Sequence, residues 1–183
     1  MGVPFTFLAF DENAEMLNPS TGNIVPECGW FLFGKILIPL DGSDPSLRAL
    51  EIAIQMAKKF DGKITLIHIY SVGDKTVVMT EPTAPNVPIM APADFTRVME
   101  AVQEAGEEIL AHGRKMGEAD GVPVETLLKE GYNVKEILRT AKDGEFNLIV
   151  MGARGVSRIR EILLGSVSEG VIRNAPCPVL VTK

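Results

Sequence analysis

Cysteine is scarce in this 183-residue chain, which holds only Cys28 and Cys177. The two residues lie far apart in the sequence, and neither belongs to a CxxC or a Cys/His pattern. Disulfide-rich domains and zinc modules depend on closely spaced ligands or pairs, so the sequence argues against both classes. The cysteine content fits a reducing compartment, and we expect a cytoplasmic protein.

Long apolar runs are also missing. The most apolar stretch, residues 30–40, is too short to cross a bilayer and is interrupted by Lys35 and Pro39. We therefore expect neither a membrane span nor a membrane partner.

The motifs of common phosphate-handling enzymes are absent as well. The chain has neither the Gly-x4-Gly-Lys-Ser/Thr motif of P-loop hydrolases nor the Gly-x-Gly-x2-Gly motif of dinucleotide-binding folds. Residues 41–44, Asp-Gly-Ser-Asp, lack the glycine pair of a pyrophosphatase loop. No base oriented towards a terminal phosphate is visible, so the sequence favours binding over turnover, and we predict no catalytic residue.

Acidic residues outnumber basic ones by 24 to 18, which gives a net charge of -6. A nucleic-acid partner held by phosphate neutralisation is therefore not expected. A local basic group of Arg154, Arg158 and Arg160 is still able to attract a small anionic ligand. With 46% hydrophobic and 23% charged residues, the composition is that of one globular domain with an extension.

Apolar patterns separated by turn residues predict five strands that alternate with four helices. The strands are expected at residues 35–40, 63–69, 124–128, 147–151 and 178–182. The helices are expected to begin at residues 44, 94, 133 and 166. Such an alternation predicts an α/β fold, in which helices cover both faces of a parallel sheet.

Capping residues and apolar spacing define the predicted helices more closely. Asp44, Asn133 and Ser166 are predicted caps, and Ser166 with Glu169 has the form of a capping box. The helix that begins near residue 94 should run to about residue 116 and bury one apolar stripe. The residues of this stripe are spaced alternately four and three apart: Val98, Val102, Ala105, Ile109, His112 and Met116.

Two segments have no periodic pattern. Residues 71–94 contain four prolines and are predicted to form a long surface loop. Residues 1–33 are rich in turn residues, and we expect them to be a flexible or loosely packed extension. A wrongly assigned translation start is the alternative for this second segment.

The strongest functional pattern follows the strand at residues 147–151. Gly152-Ala-Arg-Gly155 predicts a tight turn there, and Gly165-Ser166 comes after nine further residues. Glycines expose backbone amides in conformations that other residues avoid, and a helix that begins at Ser166 points its positive end towards them. The pattern predicts a phosphate site, and the alternative is a turn followed by an ordinary helix cap.

The segment from Gly152 to Ser166, continued by Val167-Ser-Glu-Gly-Val-Ile172, resembles the ATP-binding signature of the universal stress protein family. Residues 176–181 and 35–43 are similar to the same family, so the resemblance covers about 150 residues. It implies a universal stress protein domain at residues 34–183, preceded by the extension at residues 1–33. It also implies a Rossmann-like sheet of the adenine nucleotide alpha hydrolase type, with five parallel strands in the order 3-2-1-4-5.

Ligands of such sheets bind beyond the carboxyl ends of the strands where the winding reverses, here between the first and fourth strands. The resemblance implies ATP in this crevice, with Mg²⁺ or Mn²⁺ held through the phosphates and no metal ligand from the protein. Asp41 would accept hydrogen bonds from the ribose, the backbone of Ile69 would contact the adenine, and the loop at residues 71–94 would form a mobile cover. The predicted ATP-binding residues are Pro39, Leu40, Asp41, Ile69, Gly152, Ala153, Arg154, Gly155, Gly165, Ser166, Val167 and Ser168.

The resulting hypothesis is an ATP-binding stress protein that works as a nucleotide-dependent switch. A slow metal-dependent ATPase and a module that binds AMP or a cyclic nucleotide are the alternatives. The resemblance also implies a homodimer through the final strand, because that strand lies at an edge of the sheet and invites pairing. The alternative is an edge covered by residues 1–33.

Overall fold

The computed structural model describes residues 9–10, 16–17, 33–71, 92–155 and 164–183. Nearly all of the predicted extension and of the predicted surface loop lie outside these ranges, as do Cys28, Arg158 and Arg160. Within the extension, the structure describes a short antiparallel pairing of Ala9–Phe10 with Met16–Leu17. It also describes Phe33, whose ring stacks on that of Phe60 with centroids 4.5 Å apart.

Five parallel strands form the central sheet. They are β1 (Lys35–Pro39), β2 (Lys63–Tyr70), β3 (Val124–Glu130), β4 (Leu148–Gly152) and β5 (Val179–Thr182). Their order is β3-β2-β1-β4-β5, which confirms the predicted order 3-2-1-4-5. The winding direction therefore reverses between β1 and β4, and ligands of such sheets bind at that position.

Four helices cover the sheet, two on each face. They are α1 (Asp44–Phe60), α2 (Pro92–Ala119), α3 (Asn133–Asp143) and α4 (Ser166–Asn174). Successive strand residues point to opposite faces, so Ile36 and Ile38 pack towards α1 and α2, whereas Leu37 packs towards α3 and α4. None of the helices within the described ranges is long and apolar enough to span a membrane.

The central strand β1 is joined to β4 across a long stretch of chain. Ile36 lies beside Leu148 in the parallel register. Just before β4, Asn147 is tied to Lys35 twice: its side-chain oxygen accepts from the Lys35 amide at 3.0 Å, and its own amide donates to the Lys35 carbonyl at 2.9 Å. These bonds fix the register that places the carboxyl ends of both strands at one edge.

The predicted helix caps are wrong in each case by one residue. Ser43 caps α1, and its hydroxyl accepts from the Ser46 amide, while Asp44 is already helical. The N-cap positions of α3 and α4 are Tyr132 and Gly165, and neither helix has a side-chain cap. Tertiary contacts position these two helices, so local capping patterns did not define their first residues.

The predicted apolar stripe of α2 is right only in part, since Ile109 and Met116 pack against the core. Ala105 and His112 are exposed, and Val98 is 40% exposed. The side of α2 that faces the sheet instead contains three buried glycines and one leucine: Gly106, Leu110, Gly113 and Gly117. A Cβ at Gly113 would lie 2.7 Å from side-chain atoms of both Leu40 and Leu66, so glycine lets the helix approach the sheet closely. Most of this contact surface consists of glycines, which have no side chains. A search for apolar side chains therefore cannot detect it.

Candidate functional site

A cavity of about 660 Å³ opens beyond the carboxyl ends of β1, β2 and β4, between the first residues of α3 and α4. All of the predicted ATP-binding residues line this cavity except Ala153. The other lining residues, which the sequence did not single out as ligand contacts, are Ser46, Ile67, His68, Asn133, Ile137, Met151, Leu164 and Glu169. The structure thus brings together residues from five separate parts of the chain.

Ala153 is buried behind the cavity and connects the end of β4 to the beginning of α4. Its carbonyl accepts hydrogen bonds from the Gly165 amide at 2.8 Å and from the Ser168 hydroxyl at 2.7 Å. Its own amide donates to the carbonyl of Thr182 in β5 at 2.6 Å. Ala153 therefore fixes the beginning of α4 against the end of β4, which is a supporting role and not a lining one.

The first turn of α4 presents backbone donors at the cavity. The amides of Ser166, Val167 and Ser168 have no acceptor within the helix, because the first intrahelical bond runs from Glu169 to Gly165. Ser168 does not cap the helix either, since its hydroxyl donates to carbonyl groups. A helix end of this kind carries partial positive charge and is suited to an anion such as phosphate.

Two of the three glycines of the sequence motif, Gly152 and Gly155, are required for their small size. None of them has a positive φ angle, so the expectation that they adopt conformations other residues avoid is wrong. A Cβ at Gly152 would lie 2.8 Å from Pro45, and one at Gly155 would collide with the carboxylate of Asp41. At Gly165 the nearest atoms would be 3.5 Å away, which is an ordinary contact.

Asp41 is held in a fixed turn at the end of β1. One carboxylate oxygen accepts from the Ser43 amide at 3.0 Å and from the Ser43 hydroxyl at 2.5 Å. Gly42 has a φ of 77°, which places it in the left-handed region that favours glycine. The other carboxylate oxygen lies next to Gly155, so Asp41 connects the β1 turn to the glycine loop.

Apolar residues form the remaining wall of the cavity. Ile67 and Ile137 are each 1% exposed and Met151 is 5% exposed, and Ile69 is partly buried beside them. Ile67 and Met151 lie on predicted strands, and each is within two residues of a predicted ATP-binding residue. Ile137 and Asn133 come from α3, whose approach depends on tertiary packing, and no sequence motif marks either residue as a ligand contact.

The charged and titratable residues of the cavity have internal partners. The Nδ1 atom of His68 lies 2.7 Å from the Leu40 carbonyl and donates to it. Glu169 accepts two hydrogen bonds from Arg173, at 2.8 and 3.1 Å. Among the described residues, no three histidine, cysteine or acidic side chains are grouped closely enough to hold a metal ion.

The sheet is parallel, and a cavity lined by polar and apolar residues lies where its winding direction reverses. These two features define an α/β ligand-binding protein. A family model described as the universal stress protein family matches residues 32–183. The chain is 40% identical over 161 residues to a universal stress protein of Methanocaldococcus jannaschii, and the match covers 88% of each chain. It is 35% identical over 153 residues to a universal stress protein of Bacillus subtilis, across 83% of this chain and 100% of that one.

Solved structures agree with these sequence matches. A universal stress protein in complex with cAMP aligns with a TM-score of 0.58 and 25% identity, over 82% of this chain and 97% of that chain. The chain belongs to the universal stress protein family.

Proposed function

We propose that this protein binds ATP in the cavity at the strand ends and acts as a nucleotide-dependent switch in a stress response. The observation that carries the proposal is that one cavity combines an apolar wall, a fixed carboxylate and an uncapped helix end. These three features suit the three parts of a nucleotide. The base packs against Ile67, Ile137 and Met151, the ribose hydroxyls donate to Asp41, and the phosphates accept from the amides of α4.

The ligand chemistry is supported by the relative solved with cAMP. ATP is the nucleotide we propose because the α4 amides and the half-buried Arg154 supply positive charge for more than one phosphate. The described residues offer no cluster of metal ligands, so Mg²⁺ or Mn²⁺ would be held through the phosphates. AMP and a cyclic nucleotide remain the competing ligands.

A contact between the cavity and α2 supports a switching role. The left-handed Gly42 follows Asp41 directly, and a Cβ there would lie 3.3 Å from the side chain of Ile109 in α2. A shift of the Asp41 turn on ribose binding would therefore be passed to α2. We propose that α2 carries the nucleotide state to a protein partner, and that the protein acts in the cytoplasm, where ATP is abundant.

Mass spectrometry of nucleotide released from the purified full-length protein tests this function. We expect ATP as the main species, with micromolar affinity when it is added back in a calorimeter. Recovery of AMP or cAMP alone would assign the cavity to that nucleotide instead. If no adenine nucleotide is released and none binds at millimolar concentration, the proposed function is wrong.

We expect bound ATP to be hydrolysed very slowly or not at all. The side chains in the cavity that could act as a base are already engaged, His68 by Leu40, Glu169 by Arg173, and Asp41 by Ser43. Single-turnover assays with Mg²⁺ or Mn²⁺ measure the rate. Turnover near one per second that is lost in Gly165→Val would contradict this prediction and favour the slow ATPase.

A further inference from the structure

The β1–β2 ladder ends before the neighbouring β2–β3 ladder does. The register of β1 with β2 stops at the pair Pro39 and Ile67, whereas β2 stays paired with β3 as far as Tyr70. Beyond β1, the Leu40 amide still donates to the Ile67 carbonyl at 2.9 Å. The two strands therefore separate at Leu40, and the residues on both sides of the gap line the candidate nucleotide cavity.

A regular parallel ladder would use the Leu40 carbonyl as the acceptor for the Ile69 amide. The bond from Leu40 to Ile67 indicates that the backbone groups of Leu40 point towards β2. Ile69 comes two residues after Ile67, so its amide points back towards β1, while the Tyr70 carbonyl accepts from Gly131 on the β3 side. In the described part of the chain, however, no backbone bond joins the Ile69 amide to the Leu40 carbonyl.

The side chain of His68 takes the place of that amide. Its Nδ1 atom lies 2.7 Å from the Leu40 carbonyl oxygen, and Nδ1 carries the proton because a carbonyl can only accept. The ring packs closely against α2, since a Cβ at Gly106 would lie 2.8 Å from ring atom Cδ2 and 2.8 Å from Leu128. Gly106 thus leaves room for an imidazole that is bound to Leu40.

We propose that His68 is a positioning residue for base recognition, because it occupies the Leu40 carbonyl and so leaves the backbone of Ile69 open to the ligand. A contact between this backbone and adenine is expected from the family resemblance, and His68 keeps it available. The Ile69 amide would donate to ring nitrogen N1 of adenine, and the Ile69 carbonyl would accept from the adenine amino group.

This arrangement selects between purine bases. Hypoxanthine carries a donor at N1 and an acceptor at the neighbouring oxygen, which is the opposite of adenine, so the backbone of Ile69 disfavours it. The role of His68 in base choice rests on the nucleotide function proposed above. The separation of β1 from β2 at Leu40 does not depend on that function.

Hydrogen exchange in the ligand-free, ¹⁵N-labelled full-length protein tests the strand geometry. In His68→Leu the buried Leu40 carbonyl loses its donor, which is costly, so we expect the Ile69 amide to bond to it. Exchange of the Ile69 amide should then slow by at least about ten-fold. His68→Asn keeps a side-chain N–H close to the position of Nδ1, and exchange should stay as in the natural protein.

Calorimetry with ATP and with inosine triphosphate tests base choice. The natural protein should prefer ATP, and this preference should fall by at least about ten-fold in His68→Leu and return in His68→Asn. A merely structural loss would weaken both ligands equally and leave the ratio of their affinities unchanged.

Tyr70→Phe is the matched control. It removes a different bond between β2 and α2, which the Gln103 side chain donates to the Tyr70 hydroxyl at 2.6 Å. This variant should change neither the preference for ATP nor slow the exchange of the Ile69 amide. Thermal unfolding of each variant shows that it is folded.

Three results would overturn the proposal. The first is an imidazole ¹⁵N spectrum of the natural protein in which the proton is confined to Nε2 of His68. The second is equal exchange of the Ile69 amide in the natural protein and in His68→Leu. The third is an unchanged ratio of affinities in His68→Leu when both nucleotides bind. A natural protein that binds neither nucleotide overturns the proposed function instead, and the role in base choice with it.

Discussion

Gly165 offers the cleanest single-residue probe of the nucleotide site. Its φ of -76° suits any residue, and a Cβ would meet only ordinary contacts at 3.5 Å. Gly165→Val should therefore fold with a loss of at most about 1 kcal/mol, while its branched side chain blocks the α4 amides. We expect ATP affinity to fall at least about ten-fold, measured by calorimetry beside thermal unfolding.

Two further glycine variants complete that experiment. Gly155→Ala should also weaken ATP binding, because its Cβ would displace the Asp41 carboxylate. Gly121→Ala is the control, since Gly121 has a φ of 74° and open space around it, away from the cavity. It should lose about 1 kcal/mol of stability and keep its ATP affinity. Unchanged affinity in both Gly155→Ala and Gly165→Val would refute the assigned phosphate position.

Cys177 gives stability a predictable dependence on alkaline pH. Burial raises the pKa of the Cys177 thiol to about 11. An unfolded thiol titrates near pH 8.5, so between that pH and about 11 the folded state holds more protons than the unfolded state. The free energy of unfolding should consequently fall as the pH rises through this window.

Urea unfolding at about pH 8 and about pH 10.5 measures this effect. The comparison is between the natural protein and Cys177→Ala, because Cys28 is present in both and its contribution cancels. The difference in stability between the two pH values should be smaller in the variant. If both proteins lose stability equally, burial of Cys177 does not affect its titration.

At the scale of elements, the glycine-containing side of α2 determines how closely this helix packs on the sheet. Alanine is favoured over glycine inside helices by about 1 kcal/mol. Gly113→Ala should nevertheless destabilise the protein by about 1–3 kcal/mol, because its Cβ would overlap Leu40 and Leu66. Chemical denaturation followed by circular dichroism measures the change.

Ala111→Gly is the matched control, because Ala111 is exposed on the same helix. Only the intrinsic helix preference should be lost there, about 1 kcal/mol. If Gly113→Ala proves more stable than the natural protein, α2 has room to move away from the sheet and the close contact is not required.

The elements differ in how well the sequence predicts them. Strands buried on both faces have continuous apolar runs between turn residues, so β1, β2 and β4 were predicted to within a residue or so. The starts of α1, α3 and α4 were predicted at the observed residues, whereas their capping residues were misassigned. In α4, Ser168 bonds to Ala153 and the helix terminus stays uncapped. The packing side of α2 was predicted only in part, because its glycines leave no hydrophobic pattern.

The candidate site could be predicted only in part, because some of its residues are brought together only by tertiary packing. Residues on β1, β2, β4 and the start of α4 belong to one recognisable motif set and lie on contiguous segments. Asn133 and Ile137 reach the cavity because α3 packs across β2. Contacts that arise from the packing of distant segments carry no local sequence signature.

At the scale of the whole molecule, β5 lies at the edge of the sheet, as predicted. The carbonyls of Pro178 and Thr182 accept from β4 and its loop, so the alternating backbone groups of Val179 and Val181 point away from the sheet. Val179, Leu180 and Val181 are only partly buried. These features support the proposed homodimer, in which β5 pairs with β5 of a second copy.

Val181→Pro tests the dimer. The substitution removes a backbone N–H that points away from the sheet and leaves the bonds to β4 in place. Proline is tolerated at such a position of an edge strand. Sedimentation should show a dimer for the natural protein and for Val181→Ile, and a folded monomer for Val181→Pro. A chain that begins at Phe33 tests the alternative. If this shorter chain dimerises while the full chain is monomeric, the extension covers β5. If both chains are monomers, the proposed dimer is refuted.

The bond between Lys35 and Asn147, which spans 112 positions, also affects how the protein matures. During synthesis β1, α1 and β2 emerge before β4 and α4 and can pair locally. The cavity therefore cannot form before residues 164–169 have emerged, and the proposed nucleotide can stabilise only a chain that includes them. A polypeptide stalled before residue 148 would gain no protection from ATP and would be a substrate for proteases.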